Sequence, residues 1–397
     1  MDGLDKYIKG DRYLWAFIGL LAVFSFLPVY SASTNLVVVH GSSTVFHYLF
    51  KHTLFLAVGF IVLFFTQFID YKYFGGLAVL AMPLVFILLV VTLIQGHTAE
   101  GANSARWLRV PIINISFQTS TTATMVLLIY CVRYLAKNKD KPIGFMESFW
   151  PLLMPVFITI ALIFPANGST AVILFTLVLI LLFLGGYPFR YLLFMLMIGV
   201  FTAGVFIFIA LKWGDQIPSN RVHTWKGRLE QFMDKNIEEN YQVKRAKTAI
   251  ILGGQFGRGP GKSALKTSLP QSSSDFIYAI IVEEYGAVGG IILLFIYVLI
   301  LLRILIIATK VECYFGSLLV LALGLSIVSQ ALINMGVAVN LLPVTGQTLP
   351  LISAGGTSIW ISCFGLGVIL SISRTIQKDD LFMIETKNIK DNEEKIA

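Results

Sequence analysis

The sequence predicts an all-α, polytopic integral membrane protein of about ten transmembrane helices, with a large extracytoplasmic loop between the seventh and eighth. Three observations carry that prediction. Of 397 residues, 56% are hydrophobic and only 13% are charged, with a mean hydropathy of +0.80, which is too apolar for a water-soluble surface. Apolar runs close to the roughly 20 residues needed per crossing recur along the chain. Lysines and arginines gather in alternate connections, the asymmetry that orients membrane helices.

The apolar runs are 14–30, 53–69, 73–94, 117–135, 149–164, 170–185, 189–211, 276–302, 315–335 and 353–372. The first follows Lys6, Lys9 and Arg12 and leads into SASTN without an A-x-A cleavage site, so it reads as a permanent anchor. Lys72 separates the second run from the third, and the fourth ends among Arg133, Lys137, Lys139 and Lys141. The fifth and sixth are short and barely separated by Pro165 to Ser169, as in a tight helical hairpin. Arg190 opens the seventh, Arg303 and Lys310 follow the eighth, and Arg374 and Lys378 follow the tenth. All these cations fall on one face, which the positive-inside rule makes cytoplasmic, and an even number of crossings brings both termini there. The expected organisation is therefore a cytoplasmic N-terminus at 1–13, a membrane domain at 14–376 and a charged, disordered cytoplasmic tail at 377–397. The outer face carries segments around His40, Arg106 and Asn167, the 212–274 loop and the 340–352 turn. Helical composition at 227–235 and 238–252 makes the long loop read as folded.

The net charge of +8 is mostly a consequence of this topology, so a nucleic-acid partner has little support. Cys131, Cys313 and Cys363 have no metal or redox spacing, and the five histidines show no ligand pattern. No internal repeat supports a transporter of inverted halves.

The most informative stretch is Asn334 to Ser358, with two prolines, four glycines and no charge between two apolar spans. Pro343 and Pro350 remove backbone donors, and Gly346, Gly355 and Gly356 permit sharp turns. Irregular backbone this apolar is tolerated at membrane depth where protein or a cavity satisfies it. It reads as a re-entrant-type loop, 340–356, shaping a functional cavity, with Gln347 and Ser353 as candidate substrate-binding residues.

Gly253 to Gly286 joins the outer loop to the eighth span. Its GPGKS imitates a phosphate loop, but Phe256 stands where that motif needs glycine, and no strand precedes it. Asp275 stands at the outer interface. Ser274 or Asp275 suits an N-cap or first-turn position, while beside Arg258, Lys262 and Lys266 the Asp275 carboxylate suits a base or a metal ligand near an anionic headgroup. Glu283 and Glu284 lie two turns on. At 100° per residue only Glu283, about 80° away, shares a face with Asp275, and pairing with a basic side chain competes with a substrate role. Arg106 and Arg109, beside the interfacial anchor Trp107, are candidates to hold a phosphate by the guanidinium fork.

Taken together, Ser31-Ala32-Ser33, Arg106-Trp107-Leu108, Gly253 to Gly261, Ser274 to Ala279 with Glu283-Glu284, and Asn334 to Ser358 resemble the SEDS family, the FtsW, RodA and SpoVE group, more closely its division-type FtsW branch. The resemblance implies ten helices and peptidoglycan glycosyltransferase activity on lipid II outside the membrane. It also implies a class B penicillin-binding protein and other divisome membrane proteins as partners, and a septal location in the inner membrane. The family's critical outward aspartate matches Asp275. The chemistry admits a divalent cation, Mg²⁺ or Mn²⁺, with Asp275 as its ligand. A lipid II flippase and a non-catalytic septal scaffold are the rival readings.

Three departures stand out. Where many relatives carry PSE and then a lysine, this chain has Thr119-Ser120-Thr121 and Thr124; where they carry PDFGT it has Ala166 to Thr170 with Asn167; and Arg245-Ala246 replaces glutamine and serine.

Overall fold

The computed structural model describes residues 9–40, 44–98, 105–109, 116–213, 227 and 241–396. Among them, nine helices are long and apolar enough to cross a membrane. They are α1 (Arg12–His40), α2 (Val45–Thr66), α3 (Lys72–Gln95), α4 (Thr119–Lys137), α5 (Phe145–Ile163), α7 (Phe189–Trp213), α9 (Ile277–Lys310), α10 (Tyr314–Ala338) and α11 (Gly356–Ile396). The chain is a multi-pass membrane protein.

The expected sixth span becomes the shorter α6, Gly168–Leu184, of 17 residues. Its ends explain its length: the Asn167 side chain accepts from the Thr170 N–H at 3.3 Å and Gly185 stops the helix. At ~1.5 Å per residue it falls a few ångströms short of a ~30 Å hydrocarbon core. In α5, Pro151 cannot donate to the helical ladder, and Phe149–Leu153 widens into a π turn.

Two features depart from the expectation of helices, loops and a disordered tail. β1 (His97–Thr98), β2 (Ala105–Arg109) and β3 (Ser116–Gln118) form a small antiparallel sheet in chain order, with Trp107 opposite Gln118 and Leu108 opposite Phe117. Strands this short leave too little alternation to be read as a period. At the other end, α11 continues to Ile396 through the tail expected to be disordered. The tail's lysines and glutamates are residue types with good intrinsic helix propensity.

Of the 212–274 loop, α8 (Tyr241–Gly253) is the helix expected at 238–252. The one expected at 227–235 lies outside the described residues apart from Gly227. After α8, the GGQFG turn is built into α9. Gly286 breaks α9 with φ of 74°. The Arg258 and Gly259 N–H groups donate to the Glu283 and Glu284 carbonyls at 3.0 and 2.9 Å, and Ala287 N–H donates to the Gly254 carbonyl at 2.9 Å. The break is thus satisfied by a second segment rather than by water. A Cβ at Gly286 would collide with the Gln255 backbone, so glycine is required there for space as well as for φ.

At the opposite end, Asp11 accepts from Arg303 Nε at 2.7 Å and its own N–H donates to Ser373 Oγ at 2.9 Å. The start of α1, the second half of α9 and the end of the α11 span therefore meet on one face, as the lysine distribution requires.

Candidate functional site

Residues 271–276 and 345–354 lie against each other, stitched by side chains. Ser353 Oγ donates to the Ser274 carbonyl at 2.7 Å and accepts from Leu349 N–H at 2.8 Å, and Ala354 N–H donates to the Ser273 carbonyl at 2.9 Å. Asn334, on α10 and 1% exposed, donates through one Nδ2 to the Asp275 carbonyl at 2.9 Å and the Gln347 carbonyl at 2.7 Å. One turn earlier, Gln330 donates to the Thr348 carbonyl at 3.0 Å. Two carboxamides, four residues apart on one helix face, thus hold the loop that the prolines and glycines make irregular.

The stitching brings Arg106 and Asp275 together. Gly346 has φ of 72°, and a Cβ there would stand 2.7 Å from Arg106 Nη1 and 3.4 Å from Asp275 Oδ2. The guanidinium from β2 and the carboxylate before α9 therefore converge on the space a side chain at this glycine would fill. Both are half-buried. A cation and a carboxylate converging at a partly open edge can bind an anionic group and move a proton beside it.

Asp275 does not occupy the N-cap position of α9. α9 begins at Ile277, its cap position is Phe276 without a side-chain cap, and Ser274 Oγ turns back to Gln271 Oε1 at 2.6 Å. The capping expectation fails because Ser272 to Phe276 form turns anchored to Gln271 and to the 345–354 loop before the helix starts.

Glu283 is engaged by a different segment from the one that meets Asp275. It is fully buried and accepts from Ser263 Oγ, from Ala264 N–H at 2.7 Å and from Leu265 N–H at 3.4 Å. Glu284 accepts from Ser31 Oγ and from Ser263 N–H at 3.4 Å. These carboxylates anchor the loop bearing Arg258, Lys262 and Lys266, whose Lys266 Nζ donates to the Gly261 carbonyl at 2.8 Å. The candidate residues thus fall into two groups, Asp275 with Arg106 and Gln347, and Glu283 with the three loop cations. Ser353, with its hydroxyl engaged on both sides, is a staple.

Gln347 Nε2 donates to Thr170 Oγ1 at 2.8 Å. Both line a cavity of about 40 Å³ with Thr121, Thr124, Gln330 and Ser362, room for a few waters. The charge pair and the PDFGT carboxylate absent from this chain would have belonged to the stretches that supply Thr121, Thr124 and Thr170. Hydroxyls and carboxamides occupy their place. Asn334 and Gln330 were detectable only as amides recurring four residues apart in an apolar span.

Among the described residues no three His, Cys, Asp or Glu side chains come together to hold a metal ion, and a guanidinium stands close to Asp275. That donor set does not build a cage for a resident divalent cation.

The family model for FtsW, RodA and SpoVE, described as cell cycle protein, matches residues 11–378. The probable peptidoglycan glycosyltransferase FtsW of Saccharophagus degradans is 31% identical over 392 residues, covering 93% of this chain and 94% of that protein. Stage V sporulation protein E of Bacillus subtilis is 29% identical over 372 residues, covering 93% and 98%. Among solved structures, a chain of a peptidoglycan synthase complex, described as coordinating polymerization and crosslinking, superposes with a TM-score of 0.72 at 22% identity, covering 92% of this chain and 98% of that one. The rod shape determining protein RodA of Thermus thermophilus gives 0.65 at 23% identity, covering 93% and 98%. With the family model spanning almost the whole membrane region, this chain belongs to the FtsW, RodA and SpoVE family, the SEDS proteins.

Proposed function

We propose that this chain is a peptidoglycan glycosyltransferase. It polymerises lipid II into glycan strands on the outer face of the cytoplasmic membrane during septal wall synthesis, alongside a class B penicillin-binding protein that crosslinks the product and other membrane proteins of the divisome. The observation that carries the reading is the convergence of Arg106 Nη1 and Asp275 Oδ2 on the space a Gly346 side chain would fill, 2.7 and 3.4 Å from its Cβ position. In the reaction a sugar hydroxyl attacks the anomeric carbon of a second lipid-linked sugar and the lipid pyrophosphate leaves. Asp275 takes the proton of the attacking hydroxyl, and Arg106 holds the departing pyrophosphate by its fork. Gln347 orients the loop beside both. Arg258, Lys262 and Lys266 add an outward positive field that draws the anionic substrate in.

The test is a lipid II polymerisation assay on the chain purified with its transpeptidase partner. Glycan product supports the proposal; transbilayer movement alone would favour a flippase, and neither would leave a scaffold. The compartment is tested separately. A Gln347→Cys variant in intact spheroplasts should react with an impermeant maleimide, and reaction only after lysis would overturn the topology.

A further inference from the structure

The end of α4 remote from Thr121 and Thr124 carries a second concave site. A cavity of about 450 Å³ opens there, within the size range of small-ligand sites. Arg133, Lys137 and Lys141 line it together with Tyr130 and Tyr134, and the one carboxylate at its wall is Glu147. Arg133 and Lys137 stand four residues apart, one above the other on α4, and Lys141 is returned beside them by the turn in which its N–H donates to the Asn138 carbonyl at 3.2 Å. Gly75 and Gly76 of α3 make room for the arginine: a Cβ at Gly76 would stand 3.4 Å from Arg133 Nη1. The opposite wall is held by the Tyr130 hydroxyl, which donates to the Pro151 carbonyl of α5. Among the described residues, none of the three cationic groups makes an ion pair.

Cations at a helix C-terminus complement its dipole and need no ligand for that. The dipole does not explain why three unpaired charges converge on one cavity, or why that cavity is walled by Val79, Ile143 and Pro151, apolar side chains at the membrane edge. Positive charge above an apolar wall matches an amphiphile, its phosphate among the cations and its acyl chains along the wall. At about 1.5 Å per residue the 19 residues of α4 span roughly 28 Å, so this site and the Asp275 site lie at opposite membrane faces.

We infer that this cavity binds the phosphate headgroup of an anionic membrane lipid, held by Arg133, Lys137 and Lys141 with Tyr130 and Tyr134 beside it. The inference is independent of the proposed polymerase reaction. Native mass spectrometry of the full chain, extracted from bilayers of phosphatidylcholine doped with phosphatidylglycerol or cardiolipin, reads it directly. The parent should retain one anionic lipid that the Arg133→Gln, Lys137→Gln, Lys141→Gln triple variant loses, with affinity lowered about a hundredfold for three surface cations. Lys137→Arg with Lys141→Arg should retain it. Removing three cations elsewhere on the same face, by Lys72→Gln, Lys310→Gln and Arg374→Gln, should leave retention at the parental level. An equal loss in that control, or full retention by the triple variant, would overturn the site. Inorganic phosphate added as competitor should leave the lipid in place; displacement by it would reassign the cavity to a soluble phosphate compound.

Discussion

Asp275 and Glu283 are acidic residues eight positions apart at the mouth of the same helix, and their surroundings are opposite. Glu283 is fully buried, with a hydroxyl and two backbone N–H groups aimed at its oxygens. Asp275 is half-buried, and its carboxylate and the Arg106 guanidinium share the space left by a glycine without a side chain. A carboxylate whose acceptors are filled by the protein's own donors holds a loop in place. One beside a cation at a half-buried edge stands where an anionic substrate can meet both groups. The difference lies in the partners rather than in the residue type or the helical face.

The first way to break this contrast has the largest expected effect. Asp275→Asn keeps the size and one acceptor oxygen but removes the base, so polymerisation should fall about 10²- to 10⁴-fold. Its melting temperature should fall little, since Asp275 lies outside the N-cap position of α9. A folded variant working at the parental rate would remove Asp275 from the chemistry.

Glu283 should give the reverse pattern. Glu283→Ala strands Ser263 Oγ and the Ala264 and Leu265 N–H groups without an acceptor, at a cost of about 3 kcal/mol if two of them stay unsatisfied. Thermal unfolding in nanodiscs should show the loss, and Glu283→Gln, which keeps a carbonyl acceptor, should recover much of it. If Glu283→Ala melted normally yet polymerised poorly, the division between anchor and active group would collapse.

Asn334 tests whether the two segments act as one unit. Its Nδ2 holds the Asp275 and Gln347 carbonyls together, so Asn334→Ala should let the carboxylate drift and lower kcat about tenfold, with a smaller change in KM. A change in KM alone would make Asn334 a contributor to binding instead.

Much of this architecture was legible beforehand, for identifiable reasons. The lysine and arginine pattern required the chain's two ends on one face, and Asp11, Arg303 and Ser373 meet there. The prolines and glycines of Asn334 to Ser358 announced an irregular loop, because they act through the backbone alone. The partners of Glu283 are not legible in the sequence, because helical geometry relates it only to its own helix while they come from 263–265. The cap was misplaced because turns anchored to Gln271 delay the helix to Ile277. Arg106 and Asp275 are 169 positions apart, and their meeting depends on a small sheet too short to leave a period.

The smallest expected effect separates the two groups of cations. Lys262 is exposed on the loop anchored by Glu283 and Glu284, whereas Arg106 stands at Asp275. If the loop cations serve only as a field, Lys262→Gln should lower kcat/KM about twofold, in keeping with the few tenths of a kcal/mol an exposed charge contributes. The deficit should shrink as salt is raised from low to physiological ionic strength, because screening weakens long-range attraction between exposed charges. Rates measured at two salt concentrations decide it. A salt-independent loss as deep as that of Asp275→Asn would mean that Lys262 touches the reacting pyrophosphate, and the two groups would then have to be drawn as one site.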